Sequence, residues 1–205
     1  LQSVFHDNKF RKNFGEELEA GYAIGGLVLR PYVDTKTNKI KISFCRADTF
    51  YPLQSNTNDI SEAAIATITQ QNEGKKNVYY TLLEFHEWEN STYYIRNELY
   101  RSEEQSQTGV RVPLPTLDKY KELKEETALV GFTRPLFVYI KLAGKNNIDI
   151  DSPLSLGIID NAKRQLIDIN EKYDEFMNEV EEARRKILAS DHFFKVRYDE
   201  KGNPI

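Results

Sequence analysis

From Ile159 to Ile187, apolar or small residues recur in one unbroken rhythm. Ile159, Ala162, Leu166, Ile169, Tyr173, Phe176, Val180, Ala183 and Ile187 are separated by steps of 3, 4, 3, 4, 3, 4, 3 and 4. That repeat is the seam of an amphipathic helix suited to meet another helix. No Pro or Gly interrupts it after Gly157. The spacing predicts a helix over Ser155–Leu188, 34 residues and about 51 Å long at 1.5 Å per residue. Its middle is acidic (Glu171, Asp174, Glu175, Glu179, Glu181 and Glu182), and Arg184, Arg185 and Lys186 in its last turns complement the helix dipole. Two readings of the seam stay open here: it covers the apolar face of the protein's own sheet, or it is an association surface.

The first 151 residues read differently. Phe10, Phe14, Leu18 and Tyr22 recur every four residues among charged neighbours. They predict an amphipathic helix capped by Asp7 or Asn8 and ended by Gly25-Gly26. The period then becomes two. Leu27–Val33 and Lys39–Arg46 form a hairpin with one buried face, and Pro31 demands an edge position or a bulge. Asp48–Asp59 reads as a loop, and Ser61–Gln71, rich in β-branched residues, as a strand. Val78–Glu89 and Thr92–Ser102 are the clearest strands. A two-residue turn at Asn90-Ser91 sets Trp88 opposite Tyr93, His86 opposite Ile95 and Leu82 opposite Leu99. Beyond them come a connection over Gln105–Pro115, a short helix over Thr116–Glu126, and short strands over Leu129–Phe132 and Leu136–Lys141. The expected fold is therefore α+β: a mainly antiparallel body, an N-terminal amphipathic helix and a long C-terminal helix.

Composition excludes several function classes. With 205 residues, 29% of them charged and a net charge of −4, the chain is neither a strongly basic nucleic-acid clamp nor a long disordered segment. Cys45 is the single cysteine, so no internal disulfide and no cysteine-built metal site can form. No phosphate-binding loop or dinucleotide-binding glycine pattern is present, and the three histidines share no ligand spacing. We assign no catalytic, metal or cofactor-binding residue. The sharpest catalytic candidate is Glu84 with His86 beside Trp88, an acid/base pair in form. Charged decoration of a hairpin with a packed histidine explains the same residues. Cys45, near Lys39 and Lys41, is read as a bystander thiol, though those lysines would lower its pKa. Twelve tyrosines, five of them at 79, 80, 93, 94 and 100, suit both a sheet core and a protein-binding surface. A single-stranded nucleic-acid platform is disfavoured by the acidic balance. The chain starts at Leu1, holds only one methionine, Met177, and ends in Tyr198–Ile205, a strand and turn without a returning strand. It is expected to be a central piece of a longer polypeptide.

Several strings, in order, carry a family resemblance. HDNKFRKNF, GGLVLRPYVD, IKISF, ADTFYPL and ISEAAIA lead into GKKNVYYTLLEFHEWE, NELYRS, TRPLFVYIK, SPLSLGIIDNAK and INEKYDEF. Their succession resembles the portal proteins of tailed bacteriophages, in the branch described as minor capsid proteins of phages of Gram-positive hosts. The resemblance implies a non-enzymatic subunit of a ring, commonly of twelve copies, at one capsid vertex. It implies a channel for DNA packaging and genome ejection, and a head–tail connector. Implied partners are sister copies, double-stranded DNA, a terminase ATPase, and capsid, scaffolding and head-completion proteins. No membrane and no cofactor is implied; the location is the virion, after assembly in the host cytoplasm. It divides the chain into a wing-like domain (1–151), a stem-like helix (152–190) and the start of a clip-like segment (191–205). On that template the nine seam residues become the oligomer interface, and Glu175, Glu179 and Glu182 line the channel. The rival is a non-phage oligomeric adaptor using the seam as a coiled-coil zipper.

Overall fold

A computed structural model describes residues 1–34, 36–56, 59–74, 76–141, 144, 146–185 and 197–204. The chain divides into two units, Leu1–Asp160 and Asn161–Ile205. The first is α+β and carries the nine strands found among the described residues. It opens with α1 (Gln2–Asp7) and α2 (Phe10–Ile24). Two sheets follow. One has three strands in the order β2 (Lys39–Arg46), β1 (Gly26–Asp34), β9 (Val138–Lys141). The other runs β3 (Phe50–Ser55), β4 (Ile60–Glu73), β5 (Lys76–Glu89), β6 (Thr92–Ser102), β7 (Val110–Val112), with β8 (Glu126–Leu129) also on β6. Every pairing is antiparallel.

The central hairpin has the register that its alternation dictates. Trp88 pairs with Tyr93, His86 with Ile95, Leu82 with Leu99, Phe85 with Arg96 and Leu83 with Glu98. Asn90 and Ser91 both take positive φ, 47° and 66°, the backbone of a two-residue turn that matches strand twist. Val78, Tyr80, Leu82, Glu84 and His86 form the buried side of β5. Leu114, Leu117 and Tyr120 cover part of that side. Leu114 and Tyr120 belong to two 3-10 turns, Leu114–Thr116 and Asp118–Tyr120, with Leu117 extended between them, where the expected helix over Thr116–Glu126 does not form. Pro113 and Pro115 fix the backbone there, and the extended Leu117 breaks the helical path between the two turns. The following strand is β8, three residues earlier than the expected Leu129–Phe132.

Other expectations are corrected by pairing. Asp48–Asp59 is not all loop, because Phe50–Ser55 pairs with β4 as an edge strand interrupted at Pro52. The connection over Gln105–Pro115 contains β7, which pairs with Leu99–Arg101. The strand over Ser61–Gln71 forms within β4. Pro31 takes the edge position and not the bulge: its register with β2 is unshifted, β1 is central over Gly26–Leu29, where β9 pairs, and is an edge strand beyond it.

The N-terminal helix is capped by neither Asp7 nor Asn8. Its N-cap is Lys9, in the left-handed conformation (φ 47°), and a separate short helix precedes it. Asn8 is used elsewhere: its amide donates to the Ile40 carbonyl (3.0 Å) and its carbonyl accepts from the Ile42 N–H (3.1 Å). A side chain thus fills two backbone positions on the outer edge of β2, protecting that edge. Gly25 ends α2 as expected, at φ 90°.

The hairpin β1–β2 does not have one buried and one open face. Phe10 of α2 packs against Phe44 at 5.9 Å on one side. Cys45, on the other side, joins Val28, Phe50, Ala63, Ile65 and Phe137 in a core shared by both sheets.

Candidate functional site

The second unit is built on α3 (Lys163–Arg185), 23 residues long and about 34 Å. It is shorter at its start than the heptad rhythm predicts. The reason lies in residues 155–160, which belong to the first unit and are held there by hydrogen bonds that a helix could not keep. The Ser155 hydroxyl donates to the Gly25 carbonyl, the Ser155 N–H donates to the Tyr139 hydroxyl (3.0 Å), and the Ile158 N–H donates to the Tyr22 carbonyl (2.9 Å). Gly157 approaches the end of α2 so closely that an added Cβ would lie 2.2 Å from the Ala23 carbonyl oxygen. The Gly157 N–H also donates to the Asp160 carboxylate (2.6 Å), and a 3-10 turn at Asp160–Ala162 follows. Periodicity cannot report such a tether, because it depends on contacts with residues 130 positions away.

The candidate interface residues are therefore placed unequally. Ile159 lies in a turn and Ala162 in the 3-10 turn. Leu166, Ile169, Tyr173, Phe176, Val180 and Ala183 stand along one stripe of α3. Ile187, Lys186 and the side chains of Arg184 and Arg185 lie outside what the structure describes. Tyr173 and Phe176 are each 59% exposed, large aromatic surface in the middle of the stripe. At about 100° per residue Glu175 and Glu182 fall on the face away from the stripe, roughly 140–180° round from Tyr173 and Val180, whereas Glu179 flanks the stripe about 60° from Phe176. Glu175 accepts an ion pair from Lys172 at 2.6 Å; both ends are exposed, so the pair is worth little. A bridge between Tyr198 and Pro204 closes a turn around Asp199, whose carboxylate accepts the N–H groups of Lys201 and Asn203.

The acid/base candidate lies in the first unit and resolves into a polar bolt. Glu84 and His86 are buried neighbours on β5. His86 Nε2 lies 2.8 Å from Glu84 Oε1, and His86 Nδ1 lies 2.6 Å from the Tyr93 hydroxyl. That hydroxyl also accepts the Leu136 N–H at 2.9 Å. Arg30, reaching across from β1, donates to both oxygens of Glu84 through Nε and Nη2. Burial pushes the Glu84 carboxyl upward, but the His86 hydrogen bond and the Arg30 charge outweigh it and hold the group below the usual carboxylate range. Burial likewise pushes the Tyr93 phenol well above its ordinary value. Every polar atom of the pair is spent on a protein partner, and both ring nitrogens of His86 are engaged. The arrangement joins the two sheets; it offers no open face to a substrate. Arg30 and Tyr93 are the members that a sequence reading misses, because Arg30 is 54 residues from Glu84.

The remaining candidates are accounted for by packing. Burial raises the Cys45 thiol pKa despite the Ser43 hydrogen bond and the Arg30 charge, as suits a bystander thiol and not an activated one. Tyr80 and Tyr93 belong to the core, and Tyr79, Tyr94 and Tyr100 are half-buried. On the outer face of β6, Arg96 bonds Glu87, Glu89 and Glu126 at 2.7 to 2.8 Å, with Tyr94 beneath its guanidinium. Among the described residues no group of His, Cys, Asp and Glu is placed to hold a metal ion.

The first unit is thus a β body tied together by buried polar bonds, and the second carries a helix with exposed large apolar residues. The family model for "Phage portal protein, SPP1 Gp6-like" matches residues 1–204, and the chain belongs to this family of phage portal proteins. No curated protein matches it. Membership makes the chain a structural component of the virion capsid, of the kind that works as an oligomeric ring. No described helix is long and apolar enough to cross a membrane.

Proposed function

We propose that α3 is the stave through which copies of this chain close the portal ring. Sister copies cover the stripe formed by Leu166, Ile169, Tyr173, Phe176, Val180 and Ala183, with Ile159, Ala162 and Ile187 continuing the contact at its two ends. The observation that carries this reading is the stripe itself: six seam positions on one face of a 23-residue helix, in a unit with no other α-helix among its described residues. Each large seam residue contributes roughly 1.5–3 kcal/mol when fully buried, so an uncovered stripe of this length drives association. In this reading residues 1–151 are the wing, 152–190 the stem and 191–205 the start of the clip.

The closed ring is the channel for DNA packaging and ejection and the platform where head meets tail, with a separate terminase ATPase supplying the motor. Capsid, scaffolding and head-completion proteins are its other contacts. Glu175, Glu179 and Glu182 face the channel and repel phosphates, which lets double-stranded DNA slide without salt-dependent sticking.

Sizing Leu166→Asp with Phe176→Asp tests the stave. We expect the ring or higher oligomer to be lost while the far-ultraviolet circular dichroism of the β body persists. Loss of the β signal would make the stripe ordinary core, and a dimer in the unmodified chain would identify a zipper. Replacing Glu175, Glu179 and Glu182 by glutamine in an otherwise intact phage is expected to slow packaging; an unchanged rate refutes the channel role.

A further inference from the structure

Two surfaces of the first unit match each other and not themselves. The first is a groove beside β9, where Ile60, Pro135, Phe137 and Val138 supply an apolar lining and Arg134, Lys141 and Asp59 supply charge. Val138 is 57% exposed. Among the described residues neither Arg134 nor Lys141 has an ion-pair partner. The second surface is the loop Ile148-Asp149-Ile150-Asp151. Its isoleucines are 70% and 66% exposed. The loop is presented rather than collapsed. The buried Asn146 side chain accepts the N–H groups of Ile148 (3.1 Å) and Asp149 (2.8 Å) and donates to the Leu154 carbonyl (3.1 Å). Two aliphatic side chains and two carboxylates thus stand on one copy. An apolar lining and two cations without an ion-pair partner among the described residues stand on the same chain at a different place.

We propose that the Ile148–Asp151 loop of one copy docks into the β9 groove of the next, with Ile148 and Ile150 against its apolar lining and Asp149 and Asp151 toward Arg134 and Lys141. The occupant is a second copy of this chain, because the complementary charge and the complementary apolar surface are both carried by it. Since loop and groove are different patches, the contact is head-to-tail, the kind that propagates around a ring instead of stopping at a dimer. It adds a contact between bodies to the helix contact proposed above, and it rests on the ring reading only for there being neighbours to dock.

Charge exchange tests it in the full chain by sedimentation velocity. Arg134→Glu with Lys141→Glu, and separately Asp149→Lys with Asp151→Lys, should each weaken self-association about tenfold or more, because like charges then meet. The two double variants mixed together, and the quadruple variant alone, should associate within about threefold of the unmodified chain at low salt, with the difference shrinking in high salt. Leu166→Asp with Phe176→Asp is run alongside. If that pair abolishes association while both charge variants leave it unchanged, the loop contact is wrong and the helix reading stands. If the charge variants weaken it and the helix pair does not, the reverse holds. A quadruple variant as weak as the doubles overturns the proposal. So do charge variants that shift unfolding but not association, which would place each loop in its own groove, and a chain still monomeric at about 1 mM.

Discussion

Replacing Arg30 by methionine strands the Glu84 carboxylate. The Glu84 side chain is 6% exposed and that of Arg30 24%, so the ion pair sits largely out of water. Removing one partner of a buried pair costs about 3–5 kcal/mol, because the other charge keeps its desolvation penalty and loses its compensation. The His86 hydrogen bond to Glu84 survives the change, and Arg30 is partly wetted. The expected cost is therefore at the low end, about 3 kcal/mol at neutral pH. Urea unfolding with linear extrapolation measures it. The pH dependence is the sharper test. Glu84 titrates in the native state below its ordinary value of 4.5, so the unfolded chain binds its proton more readily. Its stabilisation is present above that value and is lost as pH falls through the depressed native one. Without Arg30 the opposing burial gains weight, Glu84 is protonated at higher pH, and the gap between variant and unmodified chain narrows on acidification. Adding Glu84→Gln should restore most of the loss by removing the orphaned charge while keeping an acceptor for His86. A cost under about 1 kcal/mol, or a gap that stays constant from pH 7 to pH 4, refutes the reasoning and makes the bolt a weak surface-like pair.

Further perturbations test the same contacts. Tyr93→Phe removes the hydroxyl that serves both His86 and the Leu136 N–H; a loss of about 1–3 kcal/mol is expected, read as a lowered melting temperature. Gly157→Ala drives a methyl into the Ala23 carbonyl and should cost about 1–3 kcal/mol, as overpacking does; a neutral result would mean that residues 155–160 are not tethered to α2. Cys45, partly buried with a raised thiol pKa, should react with a disulfide reagent at pH 8 at least about tenfold more slowly than in the urea-unfolded chain. Asn8→Ala removes the two bonds that guard the β2 edge, and faster amide exchange at Ile42 is the expected sign.

Much of the architecture is legible in the chain as a string. Period-two alternation with Asn90-Ser91 between two strands determines the central hairpin and its register, because a slip of one residue would turn every buried side chain outward. Four-residue spacing of Phe10, Phe14, Leu18 and Tyr22, ended by Gly25, determines α2, and the heptad rhythm determines α3 and the stripe on it. These features are local, so neighbouring residues suffice to specify them. Tertiary structure alone decided the rest. It paired Phe50–Ser55 as an edge strand and laid Leu114, Leu117 and Tyr120 on the sheet from two short 3-10 turns joined by an extended residue. It delayed α3 to Lys163 by binding Ser155–Gly157 to the end of α2, and it made Glu84 and His86 an inter-sheet bolt by bringing up Arg30. In each case the deciding partner lies far away in sequence, and a buried polar group takes whichever partner the fold supplies, since leaving it unpaired costs more than any local preference is worth.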